Sequence, residues 1–89
     1  MSVEKQRIDK WLFFARFART RPLAARLVAA NAVRIDGRRV TAPGHQLKAG
    51  DVLTLGLPQL TCVVRVLDLG SRRGPAPEAR MLYEMISEA

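Results

Sequence analysis

The chain has 89 residues, a net charge of +7 and one cysteine, which allows one domain with a modest core and excludes an internal disulfide or a multi-cysteine metal site. Residues 1–39 carry ten basic and three acidic side chains, residues 40–89 carry five of each, and twelve of the fifteen basic groups are Arg. The excess sits in one part of the chain. The planar guanidinium fork matches phosphate oxygens, so a polyanion is the expected partner.

Ile8, Trp11, Leu12, Ala15 and Ala18 recur at helical spacing, which predicts a first helix over residues 7–18. Thr20 suits the N-cap of a second helix, with Pro22 in its first turn, where no amide is needed. Leu23, Ala24, Leu27 and Val28 form its apolar arc as far as about Ala30, and Asn31 suits a left-handed stop. Val33 to Val40 forms two short alternating runs around Asp36-Gly37, a strong hairpin signal. Lys48 to Asp51 is a turn leading into Val52 to Leu55, and the β-branched run Leu60 to Leu67 reads as a further strand. Gly70 to Pro77 is a loop by composition, and Glu78 to Ser87 is predicted helical, with Met81, Leu82, Met85 and Ile86 on one side. The fold class is α+β: two N-terminal helices packed on a small, mainly antiparallel sheet, with a C-terminal helix.

Several function classes fall away. No apolar run approaches the roughly 18 residues of a membrane span, and the first residues lack the apolar stretch of a signal peptide. The expected address is the cytoplasm. Catalysis needs a base or nucleophile held by partners, and the single His45 lies in a predicted loop as a solvated residue. Cys62 sits among Val63 and Val64 and reads as an inert packed thiol. The acids are dispersed and no glycine pattern cradles a nucleotide. The expectation is a non-enzyme with no catalytic or metal residues, no cofactor and no small-molecule substrate.

The basic residues are more informative. On a helical wheel, Arg21, Ala25, Arg26 and Ala29 oppose the apolar arc of the second helix. Small side chains on such a face let a nucleic-acid backbone approach while guanidinium groups clamp phosphates. The amides after Thr20 offer an anion site flanked by Arg19 and Arg21. In the hairpin, a two-residue loop sets Arg34 opposite Arg39. Like charges across a ladder are destabilising, and an anionic partner would relieve them unless Asp36 lies close. Phe13 and Phe17 fall outside the first helix's apolar arc, near Lys10 and Arg16. They could stack on unpaired bases, but the expectation is that the C-terminal helix covers them with Met81, Leu82 and Met85.

Arg7-Ile8-Asp9-Lys10-Trp11-Leu12, Arg19-Thr20-Arg21-Pro22-Leu23-Ala24, Val33-Arg34-Ile35-Asp36-Gly37 and Lys48-Ala49-Gly50-Asp51 together resemble the RNA-binding domain first named for ribosomal small-subunit protein four. Arg72-Arg73-Gly74-Pro75-Ala76-Pro77-Glu78-Ala79, followed by Leu82-Tyr83-Glu84, looks like the ribosome-associated heat-shock branch of that superfamily. Asn31 stands where the family usually has Gly, and it tolerates the same backbone. The resemblance implies a single RNA-binding domain over 1–89, with a core at 7–55 and a strand and C-terminal helix at 60–87. Carried onto matching positions, the implied RNA contacts are Arg7, Lys10, Arg16, Arg19, Thr20, Arg21, Arg26, Arg34, Arg38 and Arg39. It further implies large-subunit ribosomal RNA and peptidyl-tRNA as ligands, on stalled or dissociated large subunits, with a role in their rescue; the free chain is expected to be a monomer. The alternatives are a quality-control factor supporting the tailing of stalled nascent chains, a member of a shorter related branch, and a protein-interaction adaptor. A winged-helix DNA module would need a third helix before the hairpin, and none fits there.

Overall fold

The computed structural model describes residues 4–88. A short strand β1 (Gln6–Arg7) leads into helix α1 (Ile8–Phe14), which is followed by helix α2 (Arg21–Ala29). The strands β2 (Val33–Ile35), β3 (Arg38–Arg39), β4 (Gln46–Leu47), β5 (Val52–Gly56) and β6 (Thr61–Val66) come next. Helix α3 (Ala76–Ala79), a 3₁₀ turn at Arg80–Leu82 and strand β7 (Tyr83–Glu88) close the described chain. One antiparallel sheet has the order β3-β2-β5-β6-β7, and β1 pairs with β4 in a small separate ladder.

Helix α1 is shorter than its apolar spacing predicts. Arg16 adopts a left-handed backbone (φ 67°), and the amides of Arg16 and Phe17 donate to the carbonyls of Phe13 and Leu12 at 3.2 and 3.0 Å. This pair of bonds is a Schellman stop, which satisfies carbonyls that the helix would otherwise leave open. Ala15 and Ala18 remain buried beyond the stop, so the apolar pattern was sound while the helix end was not. Helix α2 ends in the same way at Asn31 (φ 65°), where Asn31 and Ala32 donate to Val28 and Leu27. Its buried stripe narrows to Ala24 and Val28 with Leu27 beside them, and Leu23, on the flank of that arc, stays 37% exposed.

The core lies between the two helices and one face of the sheet. Ile8, Trp11 and Leu12 from α1 meet Val28, Val33, Leu53, Leu55, Val64 and Val66, all essentially without exposure. Each such burial contributes about 1.5–3 kcal/mol. Trp11 keeps its indole N–H satisfied by donating to the Asp68 carbonyl at 2.9 Å, which ties α1 to the segment after β6. The opposite sheet face is open: Arg34, Thr54 and Arg65 alternate with the buried positions along their strands.

The C-terminal segment divides differently from the predicted helix over 78–87. Helical structure occupies only Ala76 to Leu82, and Tyr83 to Glu88 runs as a strand against β6. Met81, Met85 and Ile86 share side chains suited to either state, so local pattern cannot decide between them. The unpaired edge of β6 decides it, because strand addition satisfies a row of amides and carbonyls that a helix would leave open. The amides of Leu67 and Asp68 donate to the Leu82 carbonyl at 2.9 and 3.2 Å and fix where the helical turn ends.

Candidate nucleic-acid interface

Asp9 organises the cations at the start of α1. It is 4% exposed and accepts from the Lys10 amide at 2.7 Å. Arg7 donates to both of its oxygens, Nε to Oδ1 at 3.1 Å and Nη2 to Oδ2 at 3.0 Å. Arg21, from the first turn of α2, approaches Oδ1 at 3.6 Å. One buried acid therefore holds two Arg side chains, each about half exposed, and leaves a net positive charge facing solvent.

The loop before β4 sets the height of Arg7. The amides of Ile8 and Asp9 donate to the carbonyls of His45 and Pro43, and Arg7 pairs with Gln46 across the β1–β4 ladder. The Arg7 guanidinium lies over Gly44, where an added Cβ would come within 3.8 Å of it. Beyond Gln46 a groove of about 840 Å³ opens between this loop and the hairpin, lined by Lys5, Arg38, Arg39, His45, Lys48 and Asp51 among others. Cationic side chains thus stand on both sides of this loop, Arg7 and Arg21 around Asp9 and Arg38 and Arg39 along the groove.

The two acids bordering the groove are engaged with the fold. Asp36 accepts from the Val52 amide at 3.1 Å. Asp51 is buried, accepts from the Lys48 amide at 3.0 Å and pairs with the Lys48 ammonium at 2.7 Å. That hydrogen bond and charge push the Lys48 pKa up, so Lys48 stays charged throughout the physiological range.

The hairpin has the expected geometry. Asp36 (φ 49°) and Gly37 (φ 81°) make a two-residue turn with both central residues left-handed. Arg34 lies directly opposite Arg39. Asp36 forms no ion pair with either Arg among the described residues, and one of its oxygens accepts from the Val52 amide. The like-charge pair stands uncompensated.

One expectation is corrected at the start of α2. Thr20 is the N-cap, but its hydroxyl accepts from the Leu23 amide at 3.1 Å, and Pro22 has no amide to offer. The expected anion site there is largely used up by the cap itself. Arg19 and Arg21 remain exposed beside it.

The other predicted contacts are spread around the molecule. Arg26 is exposed in the last turn of α2, where a cation also suits the helix dipole. Arg34 points to the open sheet face beside Thr54 and Thr61, in a shallow depression it shares with Asn31. Lys10 lies on α1, 5.6 Å from the Phe14 ring centroid, and Arg16, just beyond the helix end, donates through Nε to the Gly74 carbonyl at 2.7 Å. Sequence reasoning passed over Lys5 and Lys48, which line the groove, and Arg73, which lies 5.2 Å from the Phe13 ring centroid. Lys5 stands two residues before Arg7, a signal that was available. Arg73 carried no local signal.

Phe13 and Phe17 part company. Phe17 packs against Tyr83 at 4.7 Å and Trp11 at 6.0 Å between ring centroids, so it is covered, though by β7 and not by a C-terminal helix. Met81, expected to help cover them, is 73% exposed. His45 is exposed and uses its carbonyl on Ile8, and Cys62 is buried, with its pKa pushed up by that burial. No cluster of potential metal-binding side chains occurs among the described residues. No described helix is long and apolar enough to cross a membrane.

Two helices on an antiparallel sheet, with an Arg-rich hairpin and a cationic helix start, define the class to which the sequence resemblance pointed. Residues 6–53 match the S4 domain, and the chain belongs to that family. Within it, the chain is similar to the heat shock protein 15 homolog of Aeromonas salmonicida, 40% identical over 78 residues that cover 88% of this chain and 58% of the relative. It is 36% identical to heat shock protein 15 of Escherichia coli strain K12 over 85 residues, covering 93% and 62%. The fold is similar to the structure of heat shock protein 15 from Vibrio cholerae, described as trimeric, with a TM-score of 0.86 and 33% identity over 94% of this chain and 84% of that one. The chain spans about three fifths of the length of these curated relatives. Small ribosomal subunit protein uS4 of Geobacter metallireducens is a more distant match, 36% identical over 76 residues and 36% of its length.

Proposed function

We propose that this protein binds structured RNA without catalysing a reaction, and that it acts as a ribosome-associated factor of the heat-shock type. The observation that carries the reading is that one buried acid, Asp9, fixes the guanidinium groups of Arg7 and Arg21, with Arg38 and Arg39 lining the groove beyond the neighbouring loop. Such groups are held ready for phosphate oxygens at little further entropic cost. Further contacts would come from Arg19 and Thr20 before α2, Arg26 on it, Arg34 on the open sheet face, Lys10 on α1 and Arg16 just beyond its end. Phosphate contacts of this kind position a protein on a folded RNA and carry no sequence information by themselves.

By the family resemblance, the RNA is that of the large ribosomal subunit together with peptidyl-tRNA, on particles that have stalled or dissociated too early. The protein would hold or reposition the tRNA so that the particle can be recycled in the cytoplasm. Co-sedimentation with small subunits, empty large subunits and large subunits carrying peptidyl-tRNA tests this directly. The expected result is strongest retention by the last of these. Equal binding to all three would reduce the protein to a general RNA binder.

A further inference from the structure

Arg73 is held on the outer side of α1 by a loop pinned at several points. Gln6 exchanges two hydrogen bonds with Gly70 (2.7 and 3.1 Å), and Arg16 Nε donates to the Gly74 carbonyl at 2.7 Å. Gly70 packs so closely on α1 that an added Cβ would lie 2.6 Å from the Phe14 ring. The Arg73 guanidinium carbon then lies 5.2 Å from the Phe13 ring centroid, and both side chains stay partly exposed. Its neighbour Arg72 pairs with Glu78, so no acid is left for Arg73. Among the described residues Arg73, Lys10 and Arg16 enter no ion pair, and the buried Arg73 Nε has no hydrogen-bond partner. Burying Nε without a partner is costly in isolation, and a guanidinium held over an aromatic ring leaves its outer plane for a flat ligand. Phe13 follows Asp9 by four residues, so this patch continues the Arg7–Asp9–Arg21 cluster along one face of α1.

We propose that Phe13 and Arg73, flanked by Lys10 and Arg16, form a subsite for one unpaired nucleotide of the bound RNA. The base lies against the guanidinium–ring pair, and its phosphate is held by the flanking cations. This rests on the RNA-binding reading above and adds to it a preference for RNA with an unpaired end or bulge beside a folded part. The test uses the full chain and two fluorescein-labelled RNA hairpins with the same stem, one blunt and one with a short single-stranded extension.

Fluorescence anisotropy is expected to show the extended hairpin bound on the order of tenfold more tightly. Arg73→Ala and Phe13→Leu should each abolish that advantage and leave blunt-hairpin affinity within about twofold. Arg73→Lys, which keeps the charge and loses the plane, should restore only a small part of it. Wild-type protein that binds both hairpins equally, or an Arg73→Ala loss that is equal on both, overturns the subsite and leaves RNA binding intact. Wild-type protein that binds neither hairpin overturns the reading on which the subsite rests. Should Phe13→Leu melt before the assay temperature, Arg73→Ala alone decides, because it removes only a loop side chain.

Discussion

In the C-terminal half three cations each pair with an acid of their own: Arg65 with Glu84 at 2.7 Å, Arg72 with Glu78 at 2.8 Å, and Lys48 with Asp51 at 2.7 Å. In the N-terminal half a single buried acid, Asp9, serves both Arg7 and Arg21, while Arg34 faces Arg39 with no acid between them. Pairs of the first kind lie mostly at the surface, where solvent and salt screen them, and contribute little. The second arrangement is poor economy for an isolated fold, since it gathers like charge without neutralising it. The difference teaches that the C-terminal pairs neutralise themselves, whereas the N-terminal cluster keeps an excess of positive charge that the proposed RNA would meet.

Breaking this contrast should have its largest effect at helix α2. The double change Arg21→Glu and Arg26→Glu should lower affinity for a structured RNA by about a hundredfold or more, with a smaller fall in melting temperature because Arg21 also neighbours Asp9, as titrations and thermal scans would show. Wild-type affinity should fall steeply with salt, with a log–log slope near −0.7 to −0.9 for each phosphate contacted. A flat salt response would sink the phosphate-clamp account.

Asp9→Ala tests whether one acid really holds the N-terminal cluster. It removes bonds to the Lys10 amide and Arg7 and the contact with Arg21. A loss of about 1–3 kcal/mol in urea unfolding is expected, with several-fold weaker RNA binding although a negative charge has gone. Tighter binding would mean that Asp9 merely offsets charge.

Gly70→Ala probes the junction between the two halves. The new methyl group would overlap the Phe14 ring and cost about 1–3 kcal/mol in the same measurement. Arg65→Ala, on the C-terminal side, should cost about 1 kcal/mol or less and leave RNA affinity unchanged.

The smallest effect is one of pH. Burial raises the Cys62 pKa, with the Glu88 charge adding to it, so the folded state favours the protonated thiol. Its contribution to stability is full below the ordinary thiol pKa and is lost as pH rises through the folded value. Alkylation of the native protein at neutral pH should therefore be much slower than that of the unfolded chain. Equal rates would show the thiol to be accessible.

Much of the site was legible in the sequence because it depends on local rules. Thr20 caps α2 as its side chain dictates, Asn31 stops that helix, and Asp36-Gly37 sets the register that opposes Arg34 to Arg39. These features need only residues within a few positions of one another. The same locality misled at Thr20, where the cap consumes the amide that an anion site would have used.

What the sequence alone determined was the cationic half, the turn chemistry and the residues that fill the core, since charge, caps and apolar spacing act at short range. Only the tertiary structure decided that Tyr83 to Glu88 would be a strand, because the open edge of β6 outweighs a local preference that is nearly balanced. It also decided that Asp9 would hold Arg7 and Arg21 together, and that Arg73 would reach Phe13 from sixty residues away in the chain. Those meetings follow from the packing of α1 against α2 and against the loop after β6, and no local pattern encodes them.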